Sequence, residues 1–214
     1  MEDLIDTPFQ GENNYICCQR ELVGDFSEIV GKLKSSENIL VIEPKMLLEL
    51  DLSETGKQAR EVLLNDLKTL KEHGASPVLN LIKYYDRDES FFPTDVYSFH
   101  VDRSPVPTAT YLCTYHGAAS EIIPNSEATQ KVLIPEIRAE LKELHDGPDA
   151  TFEAFLTEYL FDLHYQPKPN SQVFGLGIGN LWKLAVDHPE SPVLPCLHRA
   201  PEEKDGEYRL LLIC

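Results

Sequence analysis

Basic residues are scarce in this chain of 214 residues, where 19 Lys and Arg stand against 36 Asp and Glu and the formal net charge is −17. A surface of this sign repels phosphate backbones and anionic lipid, so nucleic-acid binding would need a local basic face. The closest candidate, residues 32–34, is too sparse for that purpose. We therefore expect no nucleic-acid partner and no membrane-surface partner.

Long apolar runs and paired cysteines are also missing. No run approaches the roughly 18 apolar residues that span a bilayer. Residues 1–10 hold three acidic side chains and no basic one, the opposite of a signal peptide. The five cysteines match neither a disulfide framework nor a zinc ribbon. These absences favour free thiols in a reducing cytoplasm, and we expect a cytoplasmic protein.

Two common active-site motifs are absent as well. The glycine-rich residues 175–179 lack the Rossmann spacing, and no helix with a clear start follows them. The chain has no Gly-x-Ser-x-Gly elbow. Cys17 and Cys18 are the candidates for a Cys–His hydrolase, but they lie near a terminus that we expect to be mobile.

The chain changes character near residue 76. Residues 1–76 are predicted to form a mainly helical layer, with a strand at 38–42 and a helix at 53–73. From residue 77 short apolar runs separated by Gly or Pro predict strands, interrupted by a helical insertion at about 135–165 in which Asp149 caps the second helix. Such strands behind a helical front favour a small barrel or jelly roll in one compact α+β domain. Parallel βαβ alternation is the alternative. The predicted strands of residues 77–214 are 78–85, 95–100, 109–116, 121–123, 172–176, 180–186, 193–198 and 207–213.

A metal site is the leading interpretation of the polar residues at the strand ends. His100 and Asp102 are two apart at the end of a predicted strand, so their side chains project to one face. His198 ends another apolar run and can supply a third ligand, which would complete a facial triad that leaves positions open on Fe(II). Arg209 opens the next strand, where its guanidinium can grip a carboxylate with two hydrogen bonds.

Other interpretations of these residues stay open. Asp102 can simply satisfy His100, and His198 with Arg199 can form a loop pair. Arg209 can form a salt bridge with Glu207 or another carboxylate on an edge strand. A zinc site formed by Cys113, Cys196 and His198 is a further alternative. Four other histidines have no partner at a spacing typical of a site, and we assign them to the surface or the core: His116, His145, His164 and His188.

The order of these pieces resembles the double-stranded β-helix (a jelly-roll or cupin-like barrel) of the Fe(II)- and 2-oxoglutarate-dependent oxygenases. It consists of His-x-Asp at 100–102, a strand at 109–116, a glycine-to-glutamate turn at 117–121, then His198 and Arg209. More narrowly, Cys-Thr-Tyr-His-Gly-Ala-Ala-Ser-Glu at 113–121 resembles a signature of the bacterial family "domain of unknown function 1826". So do His-Arg-Ala-Pro at 198–201 and Arg-Leu-Leu-Leu at 209–212. The resemblance covers mainly residues 94–214.

The resemblance implies a dioxygenase that hydroxylates an unidentified small-molecule or protein substrate. His100, Asp102 and His198 would bind Fe(II), and Arg209 would pair with the distal carboxylate of 2-oxoglutarate. Tyr115 or Thr114 would donate a hydrogen bond to the cosubstrate, depending on which face of the strand points inward. The departures are two prolines, at 105 and 107, and Ala118–Ala119 where oxygenases often keep a second glycine.

Two further functions are kept beside the oxygenase. Members of the narrower family often accompany zinc-homeostasis genes, so the same three ligands can hold Zn(II) in a binding role without turnover. A barrel without metal that acts as an interaction module is the third alternative.

Overall fold

The computed structural model describes residues 2–33, 35–202, 204 and 206–214 of the chain. Lys34, the last residue of the sparse basic segment, lies outside them. The described helices are α1 (Glu2–Asp6), α2 (Phe26–Lys32), α3 (Pro44–Glu49), α4 (Glu54–Glu72), α5 (Pro135–Leu144) and α6 (Phe152–Glu158). The described strands are β1 (Tyr15–Cys18), β2 (Ile39–Ile42), β3 (Val78–Ile82), β4 (Phe99–His100), β5 (Ala109–His116), β6 (Glu121–Ile123), β7 (Ala128–Gln130), β8 (His164–Pro167), β9 (Phe174–Gly175), β10 (Leu181–Ala185), β11 (Leu197–Arg199) and β12 (Arg209–Ile213).

Two antiparallel sheets face one another, which makes the protein α+β. The first sheet has the strand order β1-β10-β5-β12-β3-β2, and the second has the order β7-β8-β4-β11-β6-β9. All ladders between these strands are antiparallel, so the alternative of parallel βαβ units is wrong. Buried side chains from both sheets meet between them: Ile82, Leu112, Ile122, Leu176, Leu184, Cys196 and Leu211.

The N-terminal segment forms a helical layer and also adds one strand to each edge of the first sheet. Strand β1 pairs with β10, with Cys17 opposite Trp182 and Cys18 opposite Leu181, and β2 pairs with β3. Cys17 and Cys18 thus lie in a paired strand of the first sheet. All five cysteines carry free thiols, as predicted.

Helices α2 and α4 cover the outer face of the first sheet. The Ser53 side chain accepts from the Gly56 backbone N–H at the start of α4. Leu63 and Leu70 are fully buried in the cluster that this helix forms with strands β3, β5, β10 and β12. Full burial of such a side chain contributes about 1.5–3 kcal/mol, so the apolar stripe of α4 holds the layer to the sheet.

A helical insertion lies between β7 and β8. Helix α5 begins at Pro135 as predicted, but Asp149 does not cap the second helix. A 3-10 turn, Asp149–Thr151, precedes α6, whose N-cap is Thr151. The insertion packs around a cluster of buried side chains: Phe92, Val132, Leu141, Phe152 and Leu156.

Several predicted strands are shorter in the structure, while β5 and β6 have the predicted bounds. The strand predicted at 95–100 contains only Phe99 and His100. Its first half is a turn because the Asp95 carboxylate accepts from the backbone N–H groups of Tyr97 and Ser98. This turn places His100 at the short inner strand from which the candidate site is built.

Within the described part of the chain, no helix combines the length and the apolar character needed to cross a membrane.

Candidate metal centre

Three histidines lie side by side across three adjacent strands of the second sheet. His164 of β8 is directly opposite His100 of β4, and His100 is directly opposite His198 of β11. Directly paired residues in antiparallel strands put their side chains on the same face of the sheet. The ring centroids are 5.8 Å apart for His164 and His100, and 4.5 Å apart for His100 and His198.

The structure brings His100, Asp102 and His198 together. One ligand atom from each residue lies within 4.8 Å of the other two. The Nε2 atom of His198 is 3.6 Å from Oδ2 of Asp102. Their convergence depends on the pairing of β4 with β11, since this pairing joins residues almost one hundred positions apart. Two imidazoles and one carboxylate form a donor set that suits Fe(II) or Zn(II).

The two imidazoles of this cluster are oriented by backbone carbonyls. Nδ1 of His100 donates to the Ser98 carbonyl at 2.8 Å, and Nδ1 of His198 donates to the Cys196 carbonyl at 3.2 Å. Each bond fixes the tautomer and leaves Nε2 with its lone pair toward the cluster. Burial, and secondly the neighbouring His198, lowers the pKa of His100 to about 4. His100 is therefore neutral at pH 7, which is the form that binds a metal.

Asp102 is more accessible than His198. Its side chain is 38% exposed, whereas that of His198 is 7% exposed. The Asp102 carboxylate accepts a hydrogen bond from the Thr110 hydroxyl. Since the hydroxyl occupies Oδ2, the carboxylate keeps a fixed direction toward the histidines.

A cleft opens directly beside the cluster. It has a volume of about 290 Å³ and is lined by residues 94–96, 100–103, Leu160, Leu163 and His164. The helical insertion thus supplies one wall of the cleft, and the strand that carries His100 supplies its floor. Of the three cluster residues, His100 and Asp102 line this cleft.

His164 is the residue of the site that the sequence did not indicate. Its side chain is 4% exposed, and its Nδ1 has no hydrogen-bond partner in the part of the chain that the structure describes. Burial, followed by His100 and Lys131, lowers the pKa of His164 to about 3. Strand β8 was not predicted because its sequence, His-Tyr-Gln-Pro, has neither apolar alternation nor a turn signal ahead of it.

Arg209 is buried at the start of β12, 8% exposed. Its Nε donates to the Ala118 carbonyl at 2.7 Å and its Nη2 to the Ser120 hydroxyl at 2.9 Å. The turn can approach β12 this closely because its first residue is Gly117. Gly117 has a φ of +83°, and a Cβ at this position would lie 2.4 Å from the Tyr208 carbonyl oxygen. Arg209 is thus held against the turn that precedes β6.

Arg209 lines a different space from the histidines. That space contains about 20 Å³, room for about one water molecule, and its walls include Tyr85 and Tyr97. None of the described residues that line this space also lines the cleft beside His100. Arg209 has the chemistry to bind a carboxylate, but a space of this volume has no room for a dicarboxylate as it stands.

The structure separates the two candidates for the cosubstrate hydrogen bond. Tyr115 faces the helices, where its hydroxyl donates to the Asp66 carboxylate at 2.6 Å and its ring stacks on Phe26. Thr114 is paired with Leu211, whose side chain lies between the sheets. Its Oγ1 is buried and lacks a hydrogen-bond partner among the described residues. The assignment of Tyr115 to cosubstrate binding does not agree with this geometry, whereas Thr114 points inward.

The alternative zinc site of Cys113, Cys196 and His198 is not assembled. Cys113 lies on the helical side of the first sheet, where its Sγ is 3.5 Å from Nη2 of Arg20. Cys196 packs between the sheets. Burial raises the pKa of the Cys113 thiol to about 11 and that of Cys196 to about 12, which disfavours the thiolate form that binds metals.

The alternative loop pair of His198 and Arg199 is also wrong. Both residues belong to β11, where the Arg199 guanidinium pairs with Glu121 at 2.7 Å on the face opposite His198.

Comparisons with known proteins add no relative: no family model, no curated protein and no solved structure matches this chain.

Proposed function

We propose that the two sheets form a double-stranded β-helix. Eight strands support this proposal, because along the chain they pass between the sheets in the order that such a fold requires. β3, β5, β10 and β12 belong to the first sheet, and β4, β6, β9 and β11 belong to the second. The strands β1, β2, β7 and β8 then extend the two sheets at their edges.

We propose that the protein is an Fe(II)- and 2-oxoglutarate-dependent oxygenase that hydroxylates a substrate bound in the cleft beside His100. The observation that carries the proposal is the convergence of His100, Asp102 and His198 within 4.8 Å at the ends of inner strands. Three ligands on one side of a metal leave its other positions for small molecules. The cleft of about 290 Å³ is lined by two of these ligands, His100 and Asp102.

The residues present fit a divalent metal well. Arg209 and Thr114 fit 2-oxoglutarate by residue type, and its binding at Arg209 requires the small space beside that residue to widen. When bound, iron and 2-oxoglutarate supply the activation of dioxygen, which is coupled to oxidative decarboxylation of the cosubstrate. His100 and His198 would hold the metal through Nε2, since their Nδ1 atoms are engaged with backbone carbonyls. Arg209 would pair with the distal carboxylate, and the inward hydroxyl of Thr114 would gain the partner that it lacks among the described residues.

A titration under anaerobic conditions tests this proposal. Fe(II) and then 2-oxoglutarate are added to the purified protein, and the metal-to-ligand charge-transfer absorption is recorded. We expect a band that saturates at one equivalent of iron. Replacing Arg209 with Gln should weaken 2-oxoglutarate binding at least about tenfold, since it removes a charge-assisted contact, and should leave iron binding unchanged. If the wild-type protein shows no band and retains no iron, the proposal is wrong.

A non-catalytic zinc-binding protein linked to metal homeostasis is the second candidate. The observation that favours it is the small space beside Arg209, about 20 Å³, which has no room for a dicarboxylate as it stands. Elemental analysis of protein from zinc-rich and iron-rich growth separates the two candidates. Tight zinc uptake without consumption of 2-oxoglutarate would favour the second one.

A further inference from the structure

His164 stands beside the candidate metal centre without a role in it. It lies directly opposite His100 in the second sheet, and its side chain is 4% exposed. Its Nδ1 has no hydrogen-bond partner within the described ranges. Burying a polar atom without a partner costs stability, so such an atom is usually satisfied by a ligand or a water.

The position of His164 differs from that of a metal ligand. The cluster whose atoms lie within 4.8 Å of one another consists of His100, Asp102 and His198, and His164 is not a member among the described residues. Its ring instead packs edge-on against Phe92, with centroids 6.2 Å apart. His164 also lines the cleft that opens at His100 and Asp102. It is therefore placed next to whatever occupies the open side of the centre.

The cleft wall holds both charged and aliphatic side chains, with Asp95, Asp102 and Arg103 among the charged ones. Leu160 and Leu163 line it from the helical insertion, and Leu160 is 51% exposed. Leu160 also has a φ of +60°, a conformation that a leucine rarely adopts. The wall thus combines the imidazoles of His100 and His164 with aliphatic and charged side chains. Such a wall suits a ligand that carries a hydrogen-bonding group.

We propose that His164 is a positioning residue that hydrogen-bonds the exogenous ligand on the open side of the centre. This inference rests on the proposed metal site and concerns a residue outside its ligand set. It is independent of whether the resident metal is iron or zinc.

Co(II)-loaded protein with azide as the probe tests the inference without turnover. Co(II) binding is measured first from its visible spectrum, and azide is then titrated into the loaded protein. The variants are His164→Leu and His164→Phe, which remove the hydrogen bond, and His164→Gln, which keeps one. His73→Leu is the matched control, because His73 is an exposed histidine at the end of α4 in the helical layer.

We expect both apolar variants to weaken azide binding at least about tenfold, the effect of one hydrogen bond to a charged group, and His164→Gln to stay within about threefold of wild type. Co(II) affinity should change less than about threefold in all variants. The apolar variants should also melt no lower than wild type, because they remove an unpaired buried polar atom. His164→Phe keeps an aromatic ring against Phe92, so it provides the test if His164→Leu does not fold.

Three results would overturn the inference. Azide affinity that is equal in wild type and in the apolar variants would show that His164 does not contact the ligand. A loss of Co(II) affinity of tenfold or more in these variants would make His164 a metal ligand instead. A wild-type protein that binds no Co(II) would refute the proposed metal site itself, and the inference with it.

Discussion

Asp102→Asn is the substitution that tests the candidate centre most directly. The asparagine keeps the shape of the side chain, and its amide oxygen can still accept from the Thr110 hydroxyl. The negative charge that would face the metal is lost. Because Asp102 is 38% exposed, the metal-free variant should melt within about 2 °C of wild type, as expected for a substitution worth about 0.5 kcal/mol.

The metal-dependent shift of the melting temperature should respond strongly. A metal present at 100 times its Kd stabilises the folded protein by about 2.7 kcal/mol, which corresponds to about 5–10 °C for a chain of this size. Outer-shell substitutions already cost about 10–100-fold in metal affinity, so we assign at least about 100-fold to the loss of a ligand charge. The stabilisation at the same metal concentration then falls to about 0.4 kcal/mol, about 1 °C.

The assay is thermal unfolding followed by circular dichroism, with and without Co(II), for wild type, Asp102→Asn and the control Asp146→Asn. Asp146 is an exposed aspartate in the loop after α5, so its substitution should leave the full shift. An equal metal-dependent shift in Asp102→Asn and wild type would refute the assignment of this carboxylate to the centre.

Two further predictions concern the neighbourhood of the site. Tyr115→Phe breaks a buried hydrogen bond to Asp66, so it should lower the free energy of unfolding in urea by about 1.5–3 kcal/mol and leave the Co(II)-dependent melting shift intact. The shape-matched Thr114→Val should unfold at the wild-type urea concentration or higher, but it should weaken 2-oxoglutarate binding. The reverse pattern would contradict the inward direction of Thr114. Leu160→Asn should raise the free energy of unfolding by about 0.5–1 kcal/mol, because asparagine tolerates a φ of +60°. Little apolar burial is lost, since Leu160 is 51% exposed. An unchanged or lower free energy of unfolding would show that the backbone at Leu160 stores no strain.

Local patterns predicted the chemical parts of the candidate site. Residues two apart in a strand share a face, which predicted that His100 and Asp102 lie together. The structure brings the two together, although β4 ends at His100. The long helix at residues 53–73 and the strand at 109–116 follow from apolar periodicity, and the structure has them at Glu54–Glu72 and Ala109–His116. Such features depend only on neighbouring residues, so one sequence suffices to find them.

The choice between Thr114 and Tyr115 could not be made from the strand alone. Alternation says that the two side chains point to opposite faces, but it does not say which face is inside. The face was decided by the pairing of β5 with β12, which has a register shift between Leu210 and Leu211, and by α2 and α4 on the other side. Both sides of this strand are apolar enough to be buried, and the contrast that would have identified the inner face is therefore missing.

By itself, the sequence determined which residues could serve as ligands and that His100, Asp102, His198 and Arg209 follow one another near strand ends. Only the tertiary structure decided that His198 lies opposite His100, that His164 joins them from an unpredicted strand, and that Arg209 lines a separate small space. The physical reason is that registers between distant strands arise from the packing of the whole core, whereas strand and helix periodicity is a property of the local chain.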